Sequence, residues 1–199
     1  MAITAERFQE GLTYDEWKAQ MTRNQERFLT NESQFELKPD DLAYFKNLPQ
    51  PVNVLVLAED WCGDVIDNLP ILGRLAAESG KLNPRIFLRD QNLDIMDQYL
   101  NKGEFRSIPV FAVFDSQFHE LGRFIERPES VSERRSQLRK EYYAQHPELG
   151  SPDTPISQMP EETRNQLMAA MSEWRDQNKD ADNQEVVRSL RAILASAGS

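Results

Sequence analysis

Residues 52–58, "VNVLVLA", are short, β-branched and almost wholly apolar, and they run through Glu59, Asp60 and Trp61 into Cys62 and a stretch of helical spacing. A strand without polar alternation is expected to be buried on both faces, inside a sheet covered by helices. Val65, Ile66, Leu69, Leu72, Leu75 and Ala76 then recur at helical intervals, which predicts a helix over 62–79. A second strand, "RIFLRD" at 85–90, and a short helix, "LDIMDQYL" at 93–100, follow. "IPVFAVFD" and "ELGRFIER", separated by "SQFH", read as an antiparallel hairpin. A helix over 129–145 presents Val131, Leu138 and Tyr142 on one face. The order β-α-β-α-β-β-α places the chain in the α/β class: two parallel strands joined by a helix, then a hairpin, in one central mixed sheet with helices on both faces.

The flanks are helical. Thr13-Tyr14-Asp15-Glu16 has the form of a capping box, and Tyr14, Trp17, Met21 and Phe28 share one stripe of a helix expected over 14–31. That stripe is expected to dock on the chain's own core. Pro39 opens a second short helix with Leu42, Phe45 and Leu48 facing inward. Residues 146–160 hold four of the eleven prolines and no periodic pattern, as in a linker or strap. Beyond it, one apolar face contains Leu167, Ala170, Met171 and Trp174, and another Val186, Leu190, Ile193 and Leu194. Two short helices cannot bury a core alone, so they are expected to pack on the main domain or on a second copy of the chain as a homodimer. The expected division is an N-terminal helical segment over 1–49 packed on the core, a main domain over 50–145, a linker over 146–160 and a helical extension over 161–199.

Composition removes several function classes. A net charge of −10 opposes nucleic-acid binding, which needs a cationic surface. No apolar run approaches the roughly 20 residues of a membrane span. The first residues, "MAITAERFQEG", lack the pattern of a secretory or import signal, so a cytoplasmic location is expected. One cysteine forms no internal disulfide, and with only His119 and His146 beside it a Cys/His metal cluster is excluded. No metal or other cofactor is expected.

The corner at Trp61-Cys62-Gly63, with a strand running in and a helix starting at the cysteine, resembles the active-site corner of the thioredoxin family. Pro70 lies eight residues after Cys62, where thioredoxins place the proline of their active-site helix. Ile108-Pro109, at the start of the third core strand, is similar to the family's cis-proline dipeptide, which faces the reactive sulfur. "RDQN" at 89–92 also falls at a strand end where relatives have a polar turn. The likeness spans residues 50–145 and implies a thioredoxin-like fold in which Cys62 is the nucleophile. It also implies that Trp61, Gly63, Ile108 and Pro109 line the place of the substrate.

The departures bear on chemistry. Thioredoxins have a second cysteine three residues after the first, and here that position is Val65. Without it, a mixed disulfide on Cys62 must be resolved by an outside thiol. Val56 stands where relatives often have a buried aspartate, and Asp64 where they usually have proline. A helix N-terminus favours a thiolate, whereas Glu59, Asp60, Asp64 and Asp67 oppose it. Arg106 offers an offsetting charge. The acidic stretch before Cys62 lacks the lysine with which monothiol glutaredoxins receive glutathione's carboxylate, so glutathione is a poor fit. No base neighbours the cysteine in sequence, which leaves a Cys–His hydrolase without support.

A lone cysteine is otherwise a small buried hydrophobe. Two functions fit the pattern. In one, Cys62 exchanges with protein disulfides or low-molecular-weight thiol adducts and an external thiol resolves the product. In the other, a non-catalytic module binds peptide segments through Trp61 and the Ile108–Pro109 edge.

Overall fold

The computed structural model describes residues 3–197. Its sheet has the order β2-β1-β3-β4. β1 (Val52–Ala58) runs parallel to β2 (Leu82–Leu88) and antiparallel to β3 (Val110–Phe114), which pairs antiparallel with β4 (Glu120–Ile125). The two inner strands carry the apolar runs. β3 is buried throughout and β1 at every position but Asn53. Pro84 fits within β2 because that strand lies at the sheet edge, where a missing N–H costs least. β2 therefore starts at Leu82, ahead of the expected 85, and stops before the Arg89–Gln91 turn.

Helices flank the sheet. α1 (Ala5–Gln9), α2 (Tyr14–Ala19), α3 (Gln25–Gln34) and α4 (Pro39–Lys46) precede β1, and α5 (Gly63–Ser79) follows it. The single helix expected over 14–31 is two. The Thr13–Glu16 capping box starts α2. Asn24, in the left-handed region, then separates α2 from α3. The break is held from outside the helix: Asp60 Oδ2 accepts from the Thr22 and Arg23 amides at 2.7 and 2.9 Å, and Asn24 Nδ2 donates to the Asp60 carbonyl. The aromatic stripe survives the break. Trp17 and Phe28 bury almost completely, their rings tilted against each other with centroids 5.3 Å apart. Tyr14 lies so close over α5 that a Cβ at Gly73 would fall 2.1 Å from its ring, which is why that helical position carries no side chain. Of the three inward positions expected on α4, Phe45 is fully buried, and Leu42 and Leu48 are half-buried.

α6 is shorter than expected, Leu93–Met96, because the chain tightens into three-residue bonds from Gln98 to Ile95 and from Tyr99 to Met96. The expected helix over 129–145 is α7 (Glu129–Gln145), with Tyr143 rather than Tyr142 buried. The C-terminal region also differs from expectation. In place of two short helices there is one, α8 (Glu161–Ala197). Residues 175–185, "RDQNKDADNQE", interrupt the apolar pattern but contain neither glycine nor proline, so the helix continues through them.

The chain forms two compact units, residues 1–127 with 186–199, and residues 128–185. In the first, Phe8, Trp17, Phe28, Phe45, Leu55 and Phe111 belong to one core, which also takes Val186, Val187 and Leu190 from the end of α8. Gly122 permits the close approach of α8 to β4: a Cβ there would meet Ile193 Cγ2 at 2.9 Å. The second unit has a small cluster of its own, Tyr143, Met159 and Leu167.

Candidate functional site

Cys62 is the residue immediately before α5, with an extended backbone, and its carbonyl accepts the first helical bond from the Ile66 amide. It is half-buried. Its thiol donates to the Ile108 carbonyl at 3.4 Å. The peptide between Ile108 and Pro109 is cis. The sulfur thus lies between the N-terminus of a helix and the strand opening that the sequence paired with it.

Burial, more than the contest between helix and carboxylates, turns the balance against the thiolate. Burial pushes the Cys62 thiol up, the Val65 and Asp64 amides pull it down, and the negative charges of Asp64 and Glu126 add to the rise. The net direction is upward. The other carboxylates of the stretch are engaged elsewhere. Glu59, its own carboxyl raised by burial, accepts from the Asp90 amide at 2.9 Å. Burial alone would raise the Asp60 carboxyl, yet the bonds from Thr22 and Arg23 hold it below the usual range. Asp67 pairs with Arg27 at 2.5 Å. These acids are fastenings of the loop and of α5 more than a field around the sulfur.

Trp61 is 42% exposed, with the Arg89 guanidinium 4.9 Å from its ring centroid. Gly63, half-buried, is the first residue of α5. Ile108 is only 4% exposed and Pro109 is buried. Trp61 therefore presents its face to solvent, whereas the Ile108 side chain does not. Val65 and Val56, which occupy the places of a second thiol and a buried acid, are both fully buried hydrocarbon.

Pro70 lies inside α5 and cannot donate to the carbonyl of Ile66. That carbonyl finds a different donor: Asn31 Nδ2, buried on α3, at 2.9 Å. Arg106 does not supply the counter-charge the sequence offered. It forks onto Asp97 at 2.7 and 3.0 Å. The cation that meets the site's carboxylates is Arg127, whose Nη2 and Nε donate to Asp64 at 2.6 and 3.2 Å and which also pairs with Glu126. His119 is exposed in the β3–β4 turn against Asp115, and His146 ends α7 against Glu148. Neither is hydrogen-bonded to Cys62. Among the described residues, no group of three or more His, Cys, Asp or Glu side chains is placed to hold a metal ion, and no helix is long and apolar enough to cross a membrane.

Asn31, Asn68, Glu126 and Arg127 are the parts of the site that motif reading passes over. A signal for the last two exists in the hairpin. Val110 pairs with Ile125, so Pro109 falls opposite Glu126, and the Glu126 amide does donate to the Pro109 carbonyl at 2.7 Å.

A mixed sheet of this order, with a cysteine at the start of the helix after its first strand and a cis-proline facing the sulfur, defines a thioredoxin-like protein. The thioredoxin family model matches residues 11–139, and the chain belongs to that family. Among the solved structures that share the fold are two of low identity. One is a protein of unknown function from Pseudomonas aeruginosa, 22% identical, with a TM-score of 0.63 over 86% of this chain and 96% of its own. The other is an HIV epitope-scaffold, 18% identical, with a TM-score of 0.64 over 99% of this chain and 98% of its own. Among curated proteins, none matches this sequence.

Proposed function

We propose that this chain performs single-cysteine thiol–disulfide exchange through Cys62. The observation that carries the reading is the 3.4 Å contact between Cys62 Sγ and the Ile108 carbonyl, at a helix start and beside a cis-proline. The Cys62 thiol gives its proton to solvent. The thiolate then attacks one sulfur of a substrate disulfide; a Cys62–substrate disulfide forms, the old S–S bond breaks, and the second substrate sulfur leaves as thiolate. The thiolate of an external low-molecular-weight thiol attacks the substrate sulfur of the mixed disulfide; a disulfide between substrate and external thiol forms, the Cys62–substrate bond breaks, and Cys62 leaves as thiolate. Electrons balance, because each step exchanges one S–S bond for another.

Two features make the mixed disulfide long-lived. Val65 supplies no resolving thiol, and a thiol held above its ordinary range is a slow leaving group. Protein disulfides or thiol adducts without carboxylates near the reacting sulfur suit a site where Asp64 and Glu126 together outweigh Arg127 by one charge.

The test is mass spectrometry of the full chain after incubation with cystamine, a disulfide free of carboxylates. The wild type is expected to gain one adduct that added thiol removes, faster as pH rises above neutrality, while Cys62→Ser gains none. A wild-type chain that forms no adduct even at alkaline pH overturns the proposal.

A second reading, a peptide-binding module without chemistry, draws on the raised thiol and the exposed Trp61 face. It predicts that Cys62 reacts with iodoacetamide no faster than a model thiol of equal ionisation, and that Trp61→Ala weakens peptide binding where Cys62→Ser does not.

A further inference from the structure

Glu126 has φ +69, a left-handed backbone that is uncommon for a residue other than glycine, asparagine or aspartate. Four contacts hold it there. Its amide donates to the Pro109 carbonyl, and its carbonyl accepts from Asn68 Nδ2 at 2.9 Å. Its carboxylate accepts from Asn101 Nδ2 at 3.1 Å and pairs with Arg127. Asn68 itself is buried on α5. Such a conformation persists only where the surroundings over-determine it, and it marks places where the direction of a side chain matters.

The direction in question is that of Arg127. The Glu126 bend ends β4 and sends the Arg127 guanidinium to the first turn of α5, where it forks onto Asp64, two residues from the sulfur. The side chains of Asp64 and Arg127 are only 16% and 22% exposed, so solvent screens the pair weakly. Asp64 and Glu126 are the negative charges that bear on Cys62, and Cys62 in turn bears on Arg127. The remaining charges nearby are committed to other partners: Glu59 to the Asp90 amide, Asp60 to Thr22 and Arg23, Asp67 to Arg27, Arg89 to Asp90 and Arg106 to Asp97.

We propose that Arg127 is the positioning residue of the Cys62 site: by gathering Asp64 and Glu126 onto one guanidinium it offsets both carboxylates next to the sulfur and sets how readily the thiol ionises. The network runs from Pro109 through Glu126 and Arg127 to Asp64, joining the two sides of the site on one string of hydrogen bonds. A planar fork suits this task, since the guanidinium presents its donors in a fixed plane that matches a carboxylate, whereas an ammonium is a compact point charge. Without Arg127, its positive charge would no longer offset the charges of Asp64 and Glu126 that bear on the sulfur. The meaning of the arrangement for exchange rests on the function proposed above, but its electrostatic effect does not.

The experiment is the pH profile of iodoacetamide alkylation of Cys62 in the full chain, with melting followed by circular dichroism. In Arg127→Met, which keeps the aliphatic stem, the midpoint is expected to rise by about one pH unit, a three- to tenfold loss of rate near neutrality once the greater nucleophilicity of a more basic thiolate is counted. Asp64→Asn is expected to lower it, and the double variant to return close to wild type, because the two changes cancel. A native melting curve with an unmoved midpoint in Arg127→Met overturns the proposal. Should that variant fail to fold, Arg127→Lys and Asp64→Asn decide: the first must fall between wild type and full loss, and a midpoint in the second at or above wild type overturns the assignment. Cystamine adduct formation, measured in parallel, separates the two claims. If the midpoints shift while no adduct forms, Arg127 keeps its role and the exchange function falls.

Discussion

The two compact units are stabilised by different means. Residues 1–127 with 186–199 enclose a deep core in which Trp17, Phe28, Leu55 and Phe111 are fully buried. Residues 128–185 have a small cluster of Tyr143, Met159 and Leu167 and depend more on polar links. Asp182 takes Arg134 at 2.6 Å and Arg135 at 3.5 Å, and Arg139 donates to the Thr154 carbonyl at 2.9 Å. Every residue of the candidate site lies in the first unit. A site that needs sulfur, carbonyl and guanidinium fixed to a fraction of an ångström belongs on elements locked by packing, and the deep core supplies that rigidity.

The sharpest way to break this comparison is to cut the chain after Glu185. Val186, Val187 and Leu190, all buried in the first unit, would be lost with the Arg191–Asp41 pair at 2.5 Å. At about 1.5–3 kcal/mol for each side chain, the loss is on the order of a whole domain's stability. The truncated chain is expected to aggregate or melt without cooperativity; an unchanged melting temperature would show that the end of α8 adds nothing to the core.

Smaller effects come from one deletion in each unit. Leu55→Ala is expected to cost about 3–5 kcal/mol, because the central strand cannot collapse around the cavity. Leu167→Ala should cost about 2 kcal/mol, since a small cluster relaxes more readily. Urea unfolding measures the first, and hydrogen exchange confined to residues 128–185 the second. Equal costs with a simultaneous loss of protection throughout would mean that the two units unfold as one.

The mildest effect is alkaline. Tyr14 and Tyr99 lie in the first unit, and burial pushes both phenols well above their ordinary range, as it does the Cys62 thiol. The folded state therefore keeps protons that the unfolded chain releases, so stability falls as pH rises through the ordinary thiol and phenol range. The slope is at most about 1.4 kcal/mol per group for each pH unit. Urea midpoints at successively higher pH should decline, and a flat profile would show that these groups titrate alike in both states.

Much of the fold was legible because burial leaves a period in the chain. The unbroken apolar run of β1, the helical spacing of α5 and the paired strands of the hairpin all follow from which faces must leave water. Cys62 and Trp61 stood out because a strand and a helix meet at them. The misread elements have different causes. The break between α2 and α3 is fixed by Asp60, from a loop more than thirty residues away, and no local pattern announces it. The continuity of α8 was hidden in the opposite sense, since a polar stretch imitates a boundary when nothing in it breaks a helix.

The order of residues alone determined that a lone cysteine would stand where the first strand meets its helix, with valine and not a second thiol at position 65. Local periodicity and residue identity suffice for that. Only the tertiary structure decided what surrounds the sulfur, because burial, the distant Glu126 and the bend that aims Arg127 at Asp64 come from elements far apart in the chain. Electrostatic energy depends on separation and desolvation, neither of which is written in sequence spacing.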